Sequence, residues 1–202
     1  MIELTAATPL TSAEQHRENN NKTMFGFWVY IMTDCVLFAT LFATFVVLRP
    51  NTFGGPSGRD IFNLPNVLAE TLILLTSSFT CGLAMLAAHA RRKQLVLFWL
   101  AVTFALGVAF LTLEITEFQH LIAEGNSFRR SGFLSGFFTI VATHGLHITA
   151  GLIWMIVMLQ KIVSKGLSSS TMRRLTLFSL FWHFLDIVWI FIFSIVYMMG
   201  VV

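Results

Sequence analysis

Residues 175–201 read LTLFSLFWHFLDIVWIFIFSIVYMMGV. At about 1.5 Å of rise per residue, an α-helix of this length crosses the roughly 30 Å hydrocarbon core of a bilayer. The run holds no proline, and its only Asp, Glu, His, Lys or Arg residues are His183 and Asp186. Four runs of the same kind precede it, at 25–48, 67–90, 95–121 and 131–160. Pro9, Pro50, Pro56 and Pro65 all fall outside the runs, where a fixed φ and a missing N–H cost nothing. The reading is an all-α integral membrane protein with five transmembrane helices.

Composition agrees. Of 202 residues 56% are hydrophobic and only 11% charged, against roughly 25% charged in an average soluble domain. Mean hydropathy is +0.77, which excludes an ordinary water-soluble enzyme. With 21 Phe and 4 Pro the chain is not disordered, and two cysteines cannot staple a small secreted scaffold. Cys35 and Cys81 stand alone in apolar runs, without C-x-x-C spacing, and are expected to be small buried thiols.

The chain divides into a polar tail, 1–23, and a five-helix domain, 24–202. The tail carries Glu3, Glu14, Arg17, Glu18 and Lys22 and lacks the apolar stretch of a signal peptide, so it reads as mobile and water-facing, ahead of an uncleaved first span. A glycine-rich turn at 50–65, a basic turn at 91–93 and a serine-rich loop at 166–174 separate the spans. Nine Lys and Arg residues fall in the tail and in the second and fourth loops; the opposite side has four, namely Arg49, Arg59, Arg129 and Arg130. The positive-inside rule then places the N terminus in the cytoplasm and the C terminus in the periplasm. The pI of about 9.2 reflects this basic fringe against anionic lipid and implies no nucleic-acid partner.

Ionisable groups at bilayer depth are expensive and by default functional or paired. Counting at about 1.5 Å per residue, Asp34 lies roughly 14 Å and Asp186 roughly 17 Å from the inner ends of their spans. His144, His147 and His183 fall at similar depth. A second layer, Glu70, Glu114 and Glu117 with His120, lies toward the outer side.

Each pattern has a sharp and a plain reading. His144 and His147, three apart in THGLH, share a helix face; they suit metal or haem ligation, or hydrogen bonds that hold helices together. Glu117 and His120 form one Glu-x-x-His pair, where a di-iron bundle needs two and two further glutamates. His183 and Asp186 are also three apart, and an Asp partner would fix the imidazole tautomer. Asp34, in YIMTDCVLF, either relays protons or ties two helices. Gly82, Gly107, Gly136, Gly145 and Gly151 permit close helix approach. The sequence has no P-loop, nucleophile elbow, HExxH or cysteine cluster, and no paired, Pro-interrupted spans of the kind that build a transporter site.

Five strings carry a resemblance: FGFWVYIMTDCVLFATLFATF, GGPSGRDIFNLP, LEITEFQHLI, RSGFLSGFFTIVATHGLHITAGLIWM and LFWHFLDIVWIFIFSIVYMMG. THGLH followed by WHFLDIVW about 40 residues on is the specific pair. From Met24 to Val202 the chain resembles subunit III of the haem-copper oxidases, most of all the five-helix form of the cytochrome bo-type ubiquinol oxidases. The resemblance implies an accessory subunit in the bacterial inner membrane, packed with subunits I, II and IV. Catalysis, the haems and copper, and the ubiquinol site would belong to other subunits, with no redox cofactor on this chain. It also implies support of proton uptake and bound phospholipid.

Asp34 matches the position of a reactive buried carboxylate in seven-helix relatives, which have Glu there. Glu70, Glu114, Glu117, His144, His147, His183 and Asp186 match buried polar positions of the family, and Lys161 stands where relatives have an Arg that meets lipid head groups. Two helices at the start of the seven-helix relatives have no counterpart. Two readings from other classes compete: a stand-alone membrane metal or haem protein using His144, His147 and His183, and a small transporter.

Overall fold

The structure is a computed structural model, and it describes residues 12–54, 56 and 58–201. Residues 1–11 of the polar tail lie outside it. The elements are α1 Ser12–Leu48, α2 Gly58–Ile61, α3 Leu64–His89, α4 Lys93–Ala123, α5 Gly132–Lys165 and α6 Ser169–Ile192, then a π-helical segment Phe193–Met198 and a final turn, α7, Met199–Val201. Five helices are long and apolar enough to cross a membrane. No strand occurs among the described residues.

Helix ends follow local chemistry. Ser131 caps α5 by accepting from the Leu134 N–H at 3.1 Å, and Ser168 caps α6 by accepting from Thr171 N–H at 3.3 Å. Gly166 closes α5 at φ 65°, a positive-φ conformation that glycine adopts without strain. At the basic end, Arg91 donates to the Leu167 carbonyl at 2.5 Å and Lys93 to the Val163 carbonyl at 2.9 Å. Two of the cations that form the basic fringe therefore hold the α3–α4 turn against the end of α5.

The start of α1 differs from the sequence reading. The helix begins at Ser12, so residues 12–23, read as mobile tail, continue the first span as helix. An exposed Glu18–Lys22 pair at 2.8 Å, with i,i+4 spacing, supports that extension. The last span differs too. Its final third widens into the π-helical segment, where Tyr197 is completely buried.

Four helices close a ring: α3 packs on α4, α4 on α5, α5 on α6, and α6 back on α3. Helix α1 lies outside, against α5 and to a lesser degree α6. Burial reflects this: half of the apolar window is buried in α3 and in the last span, but only 22% in the first. Cys35 faces outward on peripheral α1, contrary to the expected burial, while Cys81 of α3 is inside the ring.

The ring is filled by large aromatics, including Phe110, Phe133, Phe137, Trp182, Trp189 and Tyr197. Trp182 is seated against two glycines. A Cβ on Gly107 would stand 3.0 Å, and one on Gly151 2.9 Å, from its indole ring. Gly82 has open space instead, so the close approach expected of it does not occur among the described residues.

Candidate functional site

The buried polar residues form three groups, built differently. Along the antiparallel seam of α3 and α6, indoles and imidazole meet hydroxyls. Trp182 donates its Nε1–H to Ser77 Oγ at 3.1 Å, and Trp189 donates to Thr71 Oγ1 at 3.1 Å. His183 Nδ1 lies 2.6 Å from Ser78 Oγ. The sequence reading paired His183 with Asp186; the imidazole instead turns across the helix interface to α3. Asp186 remains beside both, with Oδ1 buried and unpartnered.

The second group joins α1 to α5. His147 Nδ1 lies 2.7 Å from the Thr143 carbonyl, which can only accept, so Nδ1 carries a proton. Nε2 is then the nitrogen that faces Asp34 Oδ2, at 3.7 Å. That separation exceeds a hydrogen bond, so a proton passing between the two requires a small closure or a bridging water. Tyr30 lies beside the same carboxyl, one turn earlier in α1.

His144, one turn from His147, is different again. It is fully buried, and neither ring nitrogen has a hydrogen-bond partner. Its ring lies among the rings of Trp189, Phe110 and Phe38, at centroid distances of 5.2, 6.0 and 6.4 Å. Neither histidine of THGLH makes the expected helix-tying hydrogen bond: His147 bonds the Thr143 carbonyl of its own helix and only faces Asp34 of α1, and His144 bonds nothing among the described residues.

The third group is acidic. Glu70 of α3 and Glu114 and Glu117 of α4 interact electrostatically with one another. Tyr197 donates its O–H to Glu117 Oε2 at 3.2 Å, while Glu70 Oε2 and Glu114 Oε2 have no partner. Glu114 occupies space left by Gly145: a Cβ there would stand 2.6 Å from its Oε1. His120 is exposed and pairs with Glu124 at 3.2 Å, so the Glu117-x-x-His120 spacing does not create a joint site. Lys161 is half-exposed near the end of α5.

No three His, Cys, Asp or Glu side chains among the described residues gather into a group able to hold a metal. His183 of α6, in particular, is turned to Ser78 of α3 and not grouped with Asp34 and His147. Sequence reasoning missed Thr71, Ser77, Ser78 and Tyr197, which supply the partners. The seven-residue steps from Thr71 to Ser78 and from Trp182 to Trp189 were the available signal.

The sequence profile of cytochrome c oxidase subunit III matches residues 9–201. The chain belongs to the cytochrome c oxidase subunit III family. Relatives within it are similar along nearly their whole length. A cytochrome bo(3) ubiquinol oxidase subunit 3 from Pseudomonas aeruginosa is 58% identical over 91% of this chain and 88% of its own. A quinol oxidase subunit 3 from Bacillus spizizenii is 43% identical over 93% and 92%. A cytochrome c oxidase subunit 3 from Bacillus sp. strain PS3 is 40% identical over 98% and 97%. In this subunit III chain the three polar groups lie between α1 and α5, between α3 and α6, and between α3 and α4.

Proposed function

We propose that this chain is the accessory, non-catalytic subunit III of a terminal ubiquinol oxidase, the complex that couples ubiquinol oxidation to reduction of dioxygen to water and to proton translocation. The observation that carries the reading is the 58% identity, over 91% of the chain, to subunit 3 of a cytochrome bo(3) ubiquinol oxidase. Family membership implies an assembly with other oxidase subunits; subunits I, II and IV are the partners proposed here, with haems, copper and ubiquinol held by them.

The Lys and Arg distribution supports a cytoplasmic N terminus and polar tail (1–23), a periplasmic C terminus and a multi-pass domain (24–202) in the bacterial inner membrane. Lys161, near the basic end, is a candidate contact for a phospholipid head group. For Asp34, the facing imidazole of His147 favours a role in proton supply, since a small closure or one bridging water would let a proton pass across the 3.7 Å between them. The other buried groups then serve mainly to join helices.

The test is co-purification in mild detergent followed by haem spectroscopy and subunit identification. The chain is expected to co-elute with a haem- and copper-bearing subunit in a complex that oxidises ubiquinol. Isolation of this chain alone with stoichiometric haem or copper on its own side chains would overturn the reading. Within the complex, Asp34→Asn is expected to slow steady-state turnover or hasten inactivation during turnover while assembly stays intact. Loss of assembly with normal turnover per assembled complex would make Asp34 a packing residue.

A further inference from the structure

On the outer side of the α3–α6 seam lies an open recess of about 560 Å3. From α3 it is lined by Leu75, Phe79, Gly82 and Leu86, at steps of four, three and four residues, so the four share one face of the helix. Phe79 is 66% and Leu86 68% exposed, and a Cβ added to Gly82 between them would meet nothing within 4 Å. Ser78 lies one turn from Gly82, which makes a small-x-x-x-small pair on a surface that no other helix of this chain fills. Such pairs let the backbone of a second helix come close.

The wall contributed by α6 is polar: His183 and Asp186. Asp186 stands roughly 17 Å from the inner end of its span, near the middle of a roughly 30 Å hydrocarbon core, where lipid head groups do not reach. It is 9% exposed, with Oδ1 turned inward and unpartnered. His183 is half-buried; Ser78 engages its Nδ1, and its Nε2 makes no hydrogen bond among the described residues. Exposed hydroxyls on the neighbouring faces satisfy themselves, as Thr76 does on the Leu72 carbonyl and Thr112 on the Val108 carbonyl. An imidazole nitrogen at this depth has no such recourse, and hydrocarbon offers it nothing, so the cost of leaving it open falls on the whole bundle. A hydroxyl or amide on a neighbouring helix both donates and accepts, and therefore meets either tautomer of His183.

We propose that this face of α3 and α6 receives a transmembrane helix of another subunit of the assembly, which sets a small residue against Ser78 and Gly82 and a hydroxyl or amide side chain against His183. The recess supplies close backbone approach and the imidazole supplies the register. The proposal rests on membership of a family of multi-subunit oxidases, and not on which electron donor the complex uses.

The test places photoreactive p-benzoylphenylalanine at Phe79, one exposed aromatic for another, in the full complex in its native membrane. After irradiation the chain is purified and its adduct identified by mass spectrometry. The expected product is a covalent link to a membrane-spanning segment of a different subunit that also co-purifies with the unirradiated chain. Gly82→Leu fills the recess and is expected to lower the yield of that adduct about tenfold, the scale of overpacking a tight contact. His183→Phe is expected to lower it about threefold, the equivalent of one average interhelical hydrogen bond. Gly82→Ala adds a methyl group that touches nothing in this chain, so folding is undisturbed, and it too is expected to lower the yield. An adduct to lipid, to a quinone or to a second copy of this chain overturns the proposal, as does a yield that is the same in Gly82→Leu and Gly82→Ala as in the parent sequence. Should Gly82→Leu or His183→Phe not fold, an unchanged yield in Gly82→Ala is enough to overturn it. Haem spectra of the same preparations report on the oxidase reading separately: intact haem signals without the adduct sink the docking face alone.

Discussion

The α3–α6 seam and the acidic layer between α3 and α4 are both buried and both polar, yet they are finished differently. In the seam, Trp182, Trp189 and His183 each meet a hydroxyl on the opposing helix, at 3.1, 3.1 and 2.6 Å. In the acidic layer, Glu70 Oε2 and Glu114 Oε2 are buried and meet no hydrogen-bond donor among the described residues. Helices in lipid gain little from hiding apolar surface from one another, so close packing and interhelical hydrogen bonds hold them. The seam has both. The acidic layer has a single such bond, from Tyr197 to Glu117; although the seam too leaves one oxygen, Asp186 Oδ1, unpartnered, its three cross-helix bonds mark it as the joint of the bundle.

The comparison breaks first if the seam does not dominate stability. Trp182→Ala removes the fully buried indole that fits against Gly107 and Gly151 and leaves Ser77 without its donor. A loss of about 3 kcal/mol is expected, the scale of large aromatic truncations in cores. The opposite error, too much volume, is tested by Gly151→Ala. The added methyl would stand 2.9 Å from the same ring, with a ring of Phe181 at 3.3 Å behind it, so neither neighbour moves freely. Overpacking of this kind costs about 1–3 kcal/mol. Both are read as shifts in detergent-induced unfolding; wild-type stability in either variant would mean that the helices separate without feeling this contact.

A sharper contrast sets one hydroxyl against one carboxyl. Ser77→Ala is expected to cost about 0.6 kcal/mol, and no more than about 1.7, the range of single interhelical hydrogen bonds in a membrane bundle. Glu70→Gln is expected to leave the unfolding midpoint unchanged, since no protein group among the described residues bonds its free oxygen. If Glu70→Gln proves the more destabilising of the two, the acidic layer is a structural joint after all.

The number of crossings was legible because a run such as 175–201 is long, apolar and free of Pro. The arrangement of the crossings was not. In lipid a helix is apolar around most of its circumference, so the pattern that points a soluble helix toward its core is nearly erased. Nothing local therefore revealed that α1 lies outside the ring, or that Cys35 faces outward. Histidine partners were equally hidden: His183 lies three residues from Asp186 but bonds Ser78, 105 positions away. The i,i+3 spacing establishes a shared face and not a contact. The helical extension back to Ser12 was concealed for another reason, because charged residues such as Glu18 and Lys22 read as tail by polarity while pairing as a helix.

A small coupling is expected where the geometry looks most favourable. Thr80 and Thr103 face each other across α3 and α4 with their hydroxyl oxygens 2.8 Å apart, buried. Each hydroxyl also reaches its own helix: Thr80 the Ser77 carbonyl at 2.9 Å, Thr103 the Trp99 carbonyl at 2.9 Å. That makes three contacts for two hydrogens. A carbonyl only accepts, so when both hydroxyls serve their own helices no proton is left for the contact between them; when one serves the other, a carbonyl is released. Removing either side chain as Thr→Val lets the remaining hydroxyl keep its backbone bond and leaves nothing unsatisfied between the helices. A double-mutant cycle on Thr80→Val and Thr103→Val should therefore give a coupling below the average of about 0.6 kcal/mol for such pairs. A coupling well above 1 kcal/mol would show that the shared proton lies between the helices, and would make the α3–α4 contact a second joint comparable to the α3–α6 seam.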